Sequence, residues 1–310
     1  MKHTILIKKL FTGLILLFFL LTGLLAYSSN VHAQEISLSI SPPLTELTIQ
    51  PGKTLNLTFS VKDDGAPVVV APAIVPFVPF DKEGHVQLIE DANSIDAFSS
   101  WFSFDKTPVS LSTTTTHNFD VKISPPANAP ERDYYFTFIA TVQEGSNLTL
   151  NSSQSQARIG ANILISVSKD GSPMKKSTIV EFSAPKLVDS FENLTYKVTI
   201  ENIGSSFFKP VGTITVNQIF GKTTTLNLAP LNILVGGSRQ TSCLKEEEII
   251  PCEMPNKFLI GIYKANLSFT LDGSGTPIEK ETYTIAFPFS IVLGLLIVII
   301  IFRTIKKLTT

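Results

Sequence analysis

The sequence predicts an all-β protein: two tandem Ig-like β-sandwiches followed by one C-terminal transmembrane helix. Three observations carry this. Apolar and polar residues alternate along short runs such as Leu55, Leu57, Phe59 and Val61, and a period of two places the apolar side chains on one face of a strand. Turn residues separate the runs at close spacing, among them Pro42-Pro43, Pro51-Gly52, Asp64-Gly65 and Pro125-Pro126. Near the end, Ala286 to Phe302 is almost without a polar atom and is followed at once by Arg303, Lys306 and Lys307.

Residues 1–33 read as a signal peptide. Lys2, Lys8 and Lys9 precede an apolar stretch from Leu10 to Leu25, and Val31-His32-Ala33 places small residues at the −3 and −1 positions of a cleavage site before Gln34. An uncleaved anchor is the alternative.

Residues 34–168 form the first sandwich. Its alternating runs include Phe119, Val121 and Ile123; Tyr134, Phe136, Phe138, Ala140 and Val142; and Ile159, Ala161, Ile163, Ile165 and Val167. Residues 169–178, KDGSPMKKST, are polar and contain Gly and Pro, the composition of a linker. Residues 179–285 form a second, membrane-proximal sandwich of roughly seven strands. No segment between residues 34 and 285 holds a 3.6-residue period over three turns.

Residues 286–302 are the spanning helix. At about 1.5 Å per residue the run nearly crosses a hydrocarbon core of about 30 Å. The basic tail, 303–310, marks the cytoplasmic side. The reading is a single-pass type I membrane protein with an extracellular ectodomain. A last strand over Glu279–Ile285 leads straight into the helix and holds the second sandwich near the bilayer. The first sandwich, on a linker of about ten residues, is expected farther out and freer to turn.

Charge narrows the partners. The chain holds 25 Lys+Arg and 26 Asp+Glu. Three cations lie in the leader and three in the tail, and neither segment contains an acid, so the ectodomain carries 19 basic against 26 acidic side chains. A surface of that sign repels phosphate backbones, which excludes nucleic acid as the expected partner.

Catalytic signatures are missing. There is no G-x-S-x-G elbow, H-E-x-x-H, P-loop or Cys paired with a His. His85 and His117 have no partner at metal-ligand spacing and read as solvated. No catalytic, cofactor or metal residue is assigned, and an enzyme acting at the cell wall is the least favoured function. Cys243 and Cys252 are expected to form a disulfide across one loop, a closure contributing roughly 2–3 kcal/mol; two free thiols are the alternative.

Three further features are candidates for binding. Trp101, the single Trp, sits in Ser100-Trp101-Phe102-Ser103-Phe104, read as a strand with Trp101 as core rather than ligand platform. The acidic residues Asp81, Glu83, Glu90, Asp91 and Asp96 lack EF-hand spacing and read as a solvated loop rather than a calcium site. Val68 to Phe80, interrupted by Pro72, Pro76 and Pro79, reads as an edge strand or extended stretch, either facing its own core or offering a docking strip to a partner. Asn56, Asn147, Asn151, Asn193 and Asn266 begin N-x-S/T triplets, and Asn56 and Asn266 lie in predicted strands.

Several motifs resemble one family. Ser41-Pro42-Pro43 with Leu47 and Pro51-Gly52-Lys53 is similar to the opening of cell-surface proteins of Gram-positive bacteria that interact with WxL-domain proteins. Val78-Pro79-Phe80-Asp81 with Gly84, Ser100 to Phe104, and Ile123-Ser124-Pro125-Pro126 with Ala129-Pro130 and Tyr134-Tyr135 resemble later segments of its first domain. Glu131 and Arg132 stand where that family tends to have glycine. Glu201-Asn202-Ile203-Gly204 with Lys209 to Ile214, and Gly261-Ile262-Tyr263-Lys264-Ala265, resemble its second domain. The resemblance implies an Ig-like domain that binds peptidoglycan or another wall polymer, a second Ig-like domain and a membrane anchor. The expected function is therefore non-covalent docking of the outer domain, residues 34–168, on a wall polymer or a surface protein. The alternative is a strand-edge scaffold or chaperone-like holder of another secreted protein. The contact residues stay open.

Overall fold

The computed structural model describes residues 36–143, 157–219, 221–255 and 258–308. The expected signal peptide lies outside them, as do Asn147 and Asn151. The N-terminal half contains β1 (Leu38–Ser41), β2 (Leu44–Ile49), β3 (Leu55–Asp63), β4 (Val68–Pro79), β5 (Val86–Leu88), the five-residue helix α1 (Ala92–Asp96), β6 (Phe102–Ser103), β7 (Val109–Leu111), β8 (Thr116–Ile123), β9 (Asp133–Val142) and β10 (Arg158–Val167). The C-terminal half contains β11 (Ser177–Ser183), β12 (Leu187–Asp189), β13 (Lys197–Asn202), β14 (Pro210–Gln218), β15 (Thr223–Leu228), β16 (Ser238–Thr241), β17 (Cys243–Lys245), β18 (Glu248–Ile250), β19 (Gly261–Leu271) and β20 (Ser274–Phe287), then the helix α2 (Phe289–Leu308).

Two pairs of sheets enclose two hydrophobic cores. In the N-terminal half one sheet runs β1-β3-β8-β6 and faces a second in the order β2-β10-β9-β4-β5, with β7 also on β4. The alternating apolar residues of both point inward, and Phe59 of one sheet stacks on Phe138 of the other at 4.9 Å. In the C-terminal half a three-stranded sheet, β11-β13-β16, faces a seven-stranded one, β12-β20-β19-β14-β15-β17-β18. Val198, Ile200, Ile214 and Leu267 fill the space between them. A Phe buried as Phe59 and Phe138 are contributes about 3–5 kcal/mol relative to Ala. The first strand divides its length between sheets: β1 pairs antiparallel with β3, and after Pro42-Pro43 β2 pairs in parallel with β10.

Several expectations change. Trp101 belongs to the first core, but it lies in a single 3-10 turn, Ser99–Trp101, with only Phe102–Ser103 in strand. The ring nests against Tyr134 at 4.6 Å and meets Phe98 edge-on at 5.5 Å, and aromatic packing of this kind overrides the two-residue alternation. The Val68–Phe80 strip is not a free sheet edge. Its strand β4 pairs with β9 over Val70–Pro76 and on its other side with β7 and β5 at its two ends. Pro72 and Pro76 fall between those two partners, where no ladder amide is required. Cys243 and Cys252 do form a disulfide, but both are buried in the second core, one on β17 and one just past β18, so the bond belongs to the packed interior rather than to a surface loop. The apolar C-terminal helix begins at Phe289, not Ala286: Ala286 and Phe287 finish β20, and the helix carries on through Arg303, Lys306 and Lys307. Counted over all its residues, Phe289–Leu308, basic end included, it is a candidate membrane span by length and composition.

Candidate binding site

The two halves are joined by more than the connecting chain. Asp133, at the start of β9, sits where they meet. Its carboxylate accepts from Ser166 Oγ (2.6 Å), Tyr135 Oη (2.9 Å) and the backbone amide of Phe207 (2.5 Å). Tyr135 Oη in turn accepts from the amide of Val235 at 3.0 Å, and Ser166 and Ser206 hydroxyls are 3.0 Å apart. Burial pushes the Asp133 carboxyl upward, against the hydrogen bonds that favour its charge. Burial and the neighbouring Asp133 charge raise Tyr135, so it stays a neutral donor. The connecting segment is tied down too: the amide of Ser205 donates to Met174 O, that of Ile203 to Lys176 O, and that of Lys169 to Glu131. The expected freely turning linker is replaced by a hydrogen-bonded seam.

Beside the seam a cleft of about 380 Å³ opens between the halves. Leu44, Glu46, Phe77 and Leu164 form one wall, and Leu231, Asn232, Leu234 and Arg239 the other. Glu46 bridges the two: it accepts from Lys209 Nζ at 2.8 Å and Asn232 Nδ2 at 2.5 Å. The β4–β5 turn closes one end, because the amide of Gln240 donates to Lys82 O at 2.7 Å.

That turn is built by Asp81. Its Oδ1 accepts from the amides of Glu83, Gly84 and His85, at 2.9–3.0 Å, and its Oδ2 meets His85 Nδ1 at 2.5 Å. Burial acts to raise the Asp81 carboxyl, but the His85 ring, the turn amides and the charge of His85 outweigh it and hold the group below the usual carboxylate range. His85 is exposed, as expected, and is also paired with Asp81. Arg239 lies against Gly84, donates from Nη1 to Asn232 O at 2.8 Å and leaves its Nε without a partner. Burial lowers the guanidinium, with the Asp81 charge opposing.

The remaining sequence candidates do not converge. Glu90 pairs with Arg158, Asp91 caps α1 through the Ser94 amide, and His117 packs on Phe119 at 4.6 Å. No group of three metal-ligating side chains occurs among the described residues. Asn56 and Asn266 lie within β3 and β19. The cleft itself had no signature in the sequence, because Glu46, Lys209 and Arg239 are far apart in the chain.

A second feature adjoins the cleft. Strand β2 pairs with β10 only from Asn162 to Val167, so among the described residues Arg158 to Ala161 are paired with β9 on one side and with no strand on the other. The amide of Val142 donates to Ala157 O, and the amide of Asn162 donates outward to Pro43 O. Antiparallel ladders alternate inward and outward groups, so the peptide groups of Arg158 and Gly160 point away from the sheet.

No protein-family model matches the chain, and no curated protein matches it. Solved structures share a loose likeness. The class 5 fimbriae chaperone CfaA aligns at TM-score 0.39 and 12% identity, over 81% of this chain and 100% of its own. The E. coli chaperone DraB aligns at TM-score 0.36 and 14% identity, over 80% and 98%. The Pseudomonas aeruginosa chaperone CupB2 aligns at TM-score 0.35 and 10% identity, over 78% and 98%. At these scores the likeness carries no argument about function.

Proposed function

We propose that the chain is a membrane-anchored, extracytoplasmic binding protein, without catalytic activity, that holds another secreted protein by adding one of its strands to the open edge of β10. In this reading the two sheet pairs are tandem Ig-like sandwiches, α2 is the single type I anchor, and the basic residues that end it face the cytoplasm. The observation that carries the proposal is the Arg158–Ala161 edge, which pairs with no second strand among the described residues. It presents outward peptide groups in a sheet that is otherwise rigidly packed, and an extended segment pairing there gains main-chain hydrogen bonds whatever its side chains. The cleft between the halves lies on the outer face of the same sheet, where its apolar and charged walls would select among partners.

Peptidoglycan or another wall polymer is the second reading, kept from the resemblance to WxL-interacting proteins. It ranks lower because the one Trp is 5% exposed and gives no stacking platform for a sugar ring. A photo-crosslinking amino acid in place of Arg158, in the full chain in native membranes, tests the choice. Crosslinks to an exported polypeptide are expected. Crosslinks confined to glycan, with none to protein, would replace the first reading by the second.

A further inference from the structure

We infer that the base of the C-terminal half is a lipid-binding surface, seated in the membrane interface around the start of α2. The inference rests on the anchor reading above and extends it from the helix to the folded domain.

Exposed apolar side chains gather at one end of the seven-stranded sheet. Leu187 and Ile262 both pair with Ile285, from β12 on one side of β20 and β19 on the other. Directly opposed residues point to the same face, and Phe287 continues that face two residues on. The aromatic pair Phe191 and Phe258, with ring centroids 5.3 Å apart, flanks the same strands in sequence, two residues after β12 and three before β19. All six are between 41% and 59% exposed. A contiguous apolar patch on a soluble surface marks an interaction site.

The chain places this patch at the helix. Only Pro288 separates β20 from α2. Asp189 pairs with Phe287 across the ladder, and its carboxylate accepts from both the amide and the hydroxyl of Ser290, at 2.8 and 3.1 Å. The same carboxylate accepts from the Phe191 amide, and Ser190 O accepts from Leu259 beside Phe258. Both aromatics are thus tied to the first turn of α2. Two acids lie here: the Asp189 carboxylate is taken up by Ser290 and the Phe191 amide, and Glu192 turns its carboxylate back to the Asp189 amide.

Length names the occupant. From Phe289 to Phe302 the helix has fourteen uncharged residues, a rise of about 21 Å. A hydrocarbon core is about 30 Å thick. Snorkelling by Arg303 and the lysines recovers part of the difference; the rest draws the end of β20 and its neighbours into the interface. Apolar groups of amphipathic surface elements bury to about 5–10 Å in that region. A bilayer, already present at α2, covers the patch without any additional partner.

The test uses the full chain reconstituted in phosphatidylcholine vesicles, with and without lipids brominated near the headgroup end of the acyl chains. Two variants are compared, Phe258→Trp and, at the far end of the β19–β20 hairpin, Ser274→Trp. Trp101, in the other half, is the internal reference. Flotation with the vesicles is scored first. We expect both variants to float, the added Trp of F258W to lose most of its emission to bromine, and Trp101 and the S274W signal to keep theirs. Flotation with equal quenching of the two added residues would overturn the lipid-seating inference and leave the anchor reading standing. Failure to float would overturn the anchor and the inference together. Shielding of F258W from aqueous acrylamide without bromine quenching would show a protein covering the patch, and would also overturn it.

Discussion

At the scale of single residues, the joint between the halves narrows to Gly84 and Arg239. Gly84 has φ +96°, and a Cβ there would come within 2.4 Å of Arg239 Cζ. Gly84→Ala is therefore expected to destabilise the protein by about 1–3 kcal/mol, through backbone strain and displacement of the guanidinium. Thermal melts check this, and the cost should shrink in an Arg239→Ala background, where only the strain remains. An unchanged cost would show that the close approach is irrelevant. Asp81 makes a pH prediction. Its folded-state carboxyl is held below 3.8, so its contribution is complete above that value and is lost as the pH falls through the lower, folded one. Wild type should lose stability faster than Asp81→Asn in melts from about pH 5 to about pH 2; parallel curves would contradict the assignment.

Elements were legible where one local rule decides them. The alternation in β3, β8, β9 and β10 survived because each strand has one face on a core. Cys243 and Cys252 were paired from their spacing, but their burial depended on β17 and β18 packing onto β15, which no local pattern encodes. Ser100 to Phe104 looked like a strand; the turn at Trp101 is imposed by Phe98, Tyr134 and Phe136 around its ring. The start of α2 was placed three residues early because Ala286 and Phe287 are as apolar as the helix, while their ladder to β12 and β19 is long-range. The joining role of Asp133 and Tyr135 has no local signature, since on that face of β9 the partners come from the other half of the chain.

For the whole molecule, the seam matters more than the sequence suggested. A tether of ten free residues would let each half act alone. Asp133, Tyr135, Ser166 and Glu46 instead bind the C-terminal half directly, so the β10 edge, the cleft and the helix stand in a fixed relation. In the proposed reading, a partner bound at β10 would be held at a set height above the bilayer.

The most direct test of that account is to close the edge without disturbing the fold. Arg158→Pro removes an outward amide and leaves the inward ladder to β9 intact, and Arg158→Ala removes only the pairing with Glu90. Both variants should keep the wild-type melting curve to within about 1 kcal/mol, as edge-strand proline allows when its amide faces outward. The exported polypeptide identified by crosslinking should co-purify with wild type and Arg158→Ala from native membranes and be lost with Arg158→Pro. Equal recovery with Arg158→Pro, in protein that melts as wild type, would contradict strand addition at β10.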